Sequence, residues 1–223
     1  MVKIVPSILT SDPKELFELL GRCEGVVDRV SIDVVDGKFA QNKTITPDIL
    51  SDFETNLKID YQLMVDEPIN WVEACVRGGA DRIIGHIEKM SDQTAFVGKV
   101  QEVGAKVGLA LDLPTPISEI DPVILNNLDI VLVMSTHAGF VGQDFDTKAL
   151  DKIDALSEVR ARDDTPFVIH DDGGVTLEAI YNVHRVGADE VSIGKRIFNE
   201  DLTSAIDKYQ KMAHNLDLKN EGK

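Results

Sequence analysis

Asp33, in the stretch VSIDVVDG (30–37), and Asp172, in HDDGGV (170–175), are the residues whose type and setting offer the most chemistry. Each ends a short apolar run. Side chains alternate along a strand, so Asp33 shares a face with Ser31 and Val35. Two carboxylates facing one small molecule from different sides suit removal of a proton from one face and delivery to the other. Either aspartate alone has a second reading, a strand-end carboxylate satisfied by neighbouring N–H groups. Two glycine turns add to the pair. Gly173 and Gly174 follow Asp172, and Gly194 with Lys195 stands in SIGKRIF (192–198). Glycine lets backbone N–H groups approach an anion closely, and Lys195 adds a positive charge. MSTHAGFVGQ (134–143) sets small residues around an aromatic, with Gly139 and Gly142 spaced along it. That composition suits a lid over a bound ligand, and equally a long surface connection.

The elements that must position these residues follow from the apolar pattern. Eight short runs rich in Val, Ile and Leu recur: 3–9, 29–35, 58–65, 81–87, 106–113, 129–135, 166–172 and 189–195. Segments of helical spacing lie between them, among them 13–23, 69–79 and 177–187. Continuous apolar strands alternating with amphipathic helices read as parallel βα units buried on both faces. The junctions GGADRI (78–83), VGAKVG (103–108) and VGADEV (186–191) each set a glycine where a helix should end. Eight such units in this length predict an α/β fold, a (β/α)8 TIM barrel over 1–213, with a polar C-terminal tail at 214–223. Catalytic residues of such a barrel lie at the C-terminal ends of strands. That rule selects Ser7, Asp33 with Asp36, Gln62 with Met64, His86, Asp112, Met134 and Asp172. The loops after strands seven and eight, carrying Gly173, Gly174, Gly194 and Lys195, are the usual phosphate site of this architecture. Asp36 reads as a turn-former rather than a participant.

Composition sets the outer bounds. The 223 residues carry 39 acidic and 23 basic side chains, a formal net charge of −16. That disfavours nucleic acid and anionic membrane surfaces as partners. It leaves room for a small anionic ligand held by backbone N–H groups. The two cysteines form no CxxC motif, so neither a zinc site nor a redox pair is signalled. The apolar runs are strand-length, and a cytoplasmic, reducing setting is the default expectation.

The same stretches resemble the ribulose-phosphate 3-epimerase family. PSIL (6–9), DVVDGKFAQN (33–42), LMV (63–65), GFVGQ (139–143), DGGV (172–175) and GKRIF (194–198) follow that family's motifs in order, from about Ile4 to Phe198. The resemblance implies that Asp33 and Asp172 are the acid and base. It puts substrate contacts at Ser7, Gly139, Gly142, Gly173, Gly174, Gly194 and the position of Lys195, with Met64 and Met134 as apolar walls. The implied reaction removes a proton beside a ketone, passes through an enediolate and returns a proton on the opposite face.

The chain also departs from the family. The two histidines that, with these aspartates, bind a divalent metal there are Ser31 and Gln62 here. A metal on Asp33 and Asp172 would then sit among oxygens, which suits Mg²⁺ or Mn²⁺ rather than Zn²⁺. Alternatively no metal is used, and donors such as Gln62 and Ser31 stabilise the oxyanion. His170, two residues before Asp172, is the one imidazole whose strand position could return a nitrogen ligand; the competing reading is a hydrogen-bonded core histidine. The expectation is a ketose-phosphate 3-epimerase acting on a small sugar phosphate, with a homo-oligomer open. A non-catalytic phosphosugar-binding barrel and an epimerase or isomerase for another ketose phosphate are the alternatives. A related decarboxylase or aldolase ranks last, because DYQLMVD (60–66) has no lysine.

Overall fold

A computed structural model describes residues 2–163 and 167–214. Eight parallel strands close into a barrel in sequence order: β1 (Lys3–Ile8), β2 (Arg29–Val35), β3 (Lys58–Met64), β4 (Ala80–His86), β5 (Lys106–Leu111), β6 (Ile130–Met134), β7 (Val168–Asp172) and β8 (Glu190–Ile193). Helices α1 (Pro13–Cys23), α2 (Val72–Arg77), α3 (Gln93–Glu102), α4 (Lys148–Asp163), α5 (Ile180–Arg185), α6 (Lys195–Phe198) and α7 (Leu202–Ala213) lie in the connections. The expected (β/α)8 barrel is therefore the fold observed.

Alternation along each strand sorts the residues. Val30, Ile32 and Val34 of β2 face outward and join the large cluster that packs sheet against helices. Ser31, Asp33 and Val35 face inward. The inner apolar wall is Val35, Met64, Ile84, Ala110, Ile130, Leu132, Met134 and Ala138. Below it, at the N-terminal ends of the strands, the floor is charged. Asp60 accepts from both Arg29 and Arg82, and Arg82 also donates to Glu190 at 2.6 Å. All four are buried. Arg29 reaches Asp81 at 2.5 Å as well.

Caps and turns fix where the helices start and stop. Asp12, Asp92 and Asp201 each accept from a backbone N–H in the first turn of α1, α3 and α7. The three predicted helix-to-strand glycines, Gly79, Gly104 and Gly187, have φ of 74°, 78° and 121°, a region that favours glycine. Two expected helices are shorter than their pattern. Glu67 at φ 51° and Pro68 start a 3₁₀ turn (Pro68–Trp71) where a helix from 69 was expected, so α2 begins at Val72. The segment from 177 becomes α-helical only at Ile180. The eighth strand ends at Ile193, so Lys195 opens α6 instead of closing a strand. His214, expected to start the tail, is tied down: its Nε2 accepts the Val2 N–H at 3.2 Å and its ring packs on His184. Residues 215–223 of that tail lie outside the described residues. Among the described residues no helix is long and apolar enough to cross a membrane.

Candidate active site

The C-terminal ends of the strands open into a cavity of about 560 Å³. Ser7, Asp33, Met64, Met134, Gly139, Gly142, Asp172, Gly173, Gly174, Gly194 and Lys195 all line it. Gln62 does not line the cavity. It is fully buried behind it on β3, in register with Asp33.

Asp33 is buried, and Ser7 donates to its Oδ2 at 2.8 Å. Burial drives its carboxyl well above the ordinary range. The Asp172 carboxylate pushes it further, against the opposing hydroxyls of Ser7 and Ser31. Asp172 is also raised by burial, while His170, the Gln62 amide and His86 work the other way. Two like charges this close do not ionise as one does, and the pair titrates jointly. A pair of this kind, with one member protonated and one ionised, offers a carboxyl to donate and a carboxylate to accept, which is what proton transfer across a substrate requires.

Among the described residues three buried oxygens of the pair and its neighbours have no partner at ordinary hydrogen-bond geometry: Ser31 Oγ, whose hydroxyl acts on Asp33 only weakly, Asp33 Oδ1 and Gln62 Oε1. Unmade hydrogen bonds at buried oxygens are costly, and Ser31 and Asp33 share the inward face of β2 while Gln62 stands in register with Asp33 on β3. Two of the three are acceptor atoms, and a hard cation or the hydroxyls of a sugar satisfies them. Zinc fits poorly here. His86 and His170 engage both ring nitrogens: His86 with Gln62 and Glu88, each at 3.2 Å, and His170 with Glu190 at 3.3 Å and Ser192 at 2.8 Å. His170 is thus the hydrogen-bonded core histidine, and the idea that it replaces a lost ligand is corrected. Among the described residues no three His, Cys, Asp or Glu side chains converge as a metal cluster. Cys23 and Cys75 are buried elsewhere, and burial pushes the Cys23 thiol up to about 12.

The glycines of the rim are sterically required. Gly173 has φ 127°, and a Cβ there would lie 2.6 Å from Thr136 Oγ1; Gly174 has φ 62°, and its Cβ would meet the Phe145 N at 2.7 Å. Arg196, which the sequence reading passed over, ties the two turns together. Its guanidinium donates to the Gly174 carbonyl at 2.7 Å. Lys195, Arg196 and Arg22 are cations that line the opening, with Arg22 reaching it from α1. The 134–143 segment is pinned by Asn42, which donates to the Gly139 carbonyl at 2.9 Å, while Phe140 and Val141 stand exposed. His137, beyond β6, is exposed too. Asp36 has the turn-forming part expected of it: it accepts from the Lys38, Phe39 and Asp66 N–H groups. Burial opposes them, yet these bonds hold its carboxyl below the ordinary range.

Asp171, next to Asp172, was not singled out by the motifs and faces away from the cavity. It accepts from Ser135 at 2.5 Å through one oxygen, and its other oxygen has no partner. Burial raises it to about 8, with Ser135 opposing and the Asp172 charge assisting. A carboxyl raised by folding binds more protons folded than unfolded. Stability therefore falls as pH rises from the unfolded value near ~4 toward 8, by up to about 1.4 kcal/mol per pH unit. Urea midpoints measured across that window should fall with pH, and Asp171→Asn should make the slope less steep, the raised Asp33 and Asp172 supplying the remainder. An unchanged slope would contradict the assignment.

Comparison with known proteins agrees with the geometry. The family model described as "Ribulose-phosphate 3 epimerase family" matches residues 3–198. The chain is 34% identical over 209 residues to "Ribulose-5-phosphate-3-epimerase, chloroplastic" of Arabidopsis thaliana, covering 91% of this chain and 74% of that one. It is 33% identical over 204 residues to "Ribulose-phosphate 3-epimerase" of Bacillus subtilis (strain 168), covering 90% and 94%. A crystal structure of 3-hexulose-6-phosphate synthase shares the fold at 14% identity and a TM-score of 0.64, covering 95% of this chain and 99% of that one. With the family model and both epimerases matching nearly the whole barrel, the chain belongs to the ribulose-phosphate 3-epimerase family.

Proposed function

We propose that this chain is an isomerase that interconverts C3 epimers of a ketose phosphate, with ribulose 5-phosphate the first substrate to test. The observation that carries the reading is the pair of buried carboxyls, Asp33 and Asp172, lining one cavity with the charge of Asp172 raising Asp33. One takes the proton beside the ketone and the other returns a proton on the opposite face. Ser7 orients the first through its 2.8 Å hydrogen bond. Gly173, Gly174, Gly194 and Lys195 hold the phosphate, and Met64 and Met134 form dry walls that keep water from the enediolate. Gly139 and Gly142 give the 139–143 segment the turns it needs to cover the sugar. Asp33 and Asp172, with Ser31 Oγ and Gln62 Oε1, are the oxygens that would hold Mg²⁺ or Mn²⁺. Such an ion would supply a Lewis acid for the developing oxyanion.

The test follows conversion of ribulose 5-phosphate to xylulose 5-phosphate in a coupled assay, after chelation and with Mg²⁺, Mn²⁺ or Zn²⁺ returned. Conversion supported better by Mg²⁺ or Mn²⁺ than by Zn²⁺ is expected. The second reading, a phosphosugar-binding barrel without chemistry, is favoured by the missing imidazoles. It would be selected by sugar-phosphate binding without conversion under any of these ions.

A further inference from the structure

Arg196 borders the cavity from α6, yet its guanidinium is engaged with backbone. It donates to the Gly174 carbonyl at 2.7 Å and to the Val175 carbonyl at 3.4 Å, where Tyr209 of α7 also donates at 3.4 Å. These bonds tie the turn after β8 to the turn after β7. That second turn is backed on two other sides. A Cβ at Gly173 would lie 2.8 Å from the Thr136 N, and one at Gly174 would lie 2.8 Å from the Gln143 carbonyl oxygen. Packing of this kind fixes where the turn lies, but the polarity it presents depends on how its peptide planes are rotated. A trans peptide is planar, and its carbonyl and N–H point opposite ways. A carbonyl facing the cavity repels an anion, whereas an N–H facing it attracts one. The N–H groups of Gly173, Gly174 and Val175 meet no carbonyl acceptor among the described residues.

We infer that Arg196 is a positioning residue for phosphate: by holding the Gly174 and Val175 carbonyls it keeps them from facing a bound anion and leaves the N–H groups of the turn to meet it. Its effect passes through the turn rather than through its own charge on the ligand. The short bond it makes is to a carbonyl, and Lys195, one position before it, supplies a cation at the same rim. This deepens the reading of the cavity as the sugar-phosphate site and rests on it.

Arg196→Met tests it, because it removes the donors and the charge from an exposed side chain. Binding of inorganic phosphate to the full chain is measured by calorimetry at low and at high salt. R196M should bind phosphate about tenfold more weakly than the parent. That ratio should be the same at both salt concentrations, since salt screens the pull of an exposed charge on an anion but leaves a turn held in place by hydrogen bonds. A ratio that shrinks toward one at high salt would make Arg196 a bare charge acting on the ligand and would overturn the inference. With ribulose 5-phosphate, R196M should raise KM by about the same tenfold and leave kcat nearly unchanged, because the lost binding is common to ground and transition states. A fall in kcat at unchanged KM would overturn it too. If the parent binds no phosphate, the reading of the site fails and takes this inference with it. If the parent binds phosphate and R196M binds it equally well, the inference fails alone.

Discussion

Asp33→Asn and Asp172→Asn are each expected to lower kcat by about 10²- to 10⁴-fold, the range over which a positioned acid or base acts. Sugar-phosphate affinity should change far less, because the phosphate turns and apolar walls are untouched. The same variants should not lose stability. Folding raises both carboxyls, so the native state favours their protonated forms, and ionising them above the ordinary carboxylate range weakens it. An amide resembles the protonated acid. Thermal midpoints of D33N at neutral and alkaline pH should therefore equal or exceed the parent's. The difference should shrink as pH falls through the raised range and both chains become neutral there. Loss of activity with a fall in midpoint would indicate instead that the aspartates hold the barrel together.

The second large effect concerns the barrel floor. Asp60→Ala leaves Arg29 and Arg82 buried, with Asp81 and Glu190 as their remaining acid partners among the described residues. Removing one member of a buried ion network costs about 3–5 kcal/mol, against a total stability of roughly 5–15 kcal/mol. The urea midpoint should fall accordingly. Glu200, exposed and paired with Lys208 at 3.2 Å, serves as the contrast, since its replacement should shift the midpoint little. A D60A midpoint no lower than that of the Glu200 variant would show that the floor network is not a stability element.

The eight strands were legible because each is a short run rich in Val, Ile and Leu, and such runs recur with helical spacing or turns between them. The junction glycines were legible because only a left-handed residue ends those helices cheaply. Asp33 and Asp172 could be matched before any coordinates because barrel topology brings all strand ends to one mouth. The partners of the inward polar residues were not legible. His170 meets Glu190 and Ser192, and Arg82 meets Glu190 across 108 positions, through barrel closure, which leaves no local period in the sequence. The same holds for Gln62. Its replacement of a histidine was visible, but its contact with His86 depends on β3 and β4 lying side by side. Arg196 was missed because an exposed cation carries no signal until its carbonyl partner is seen.

The most direct measurement of the central claim is proton NMR of ribulose 5-phosphate turned over in D₂O. Two acids on opposite faces, one removing and one returning the proton, predict deuterium at C3 of the xylulose 5-phosphate formed. At early times the recovered ribulose 5-phosphate should carry little, since the proton removed on one face is not the one returned on the other. Product without deuterium, or equal early labelling of substrate and product, would contradict the two-aspartate account.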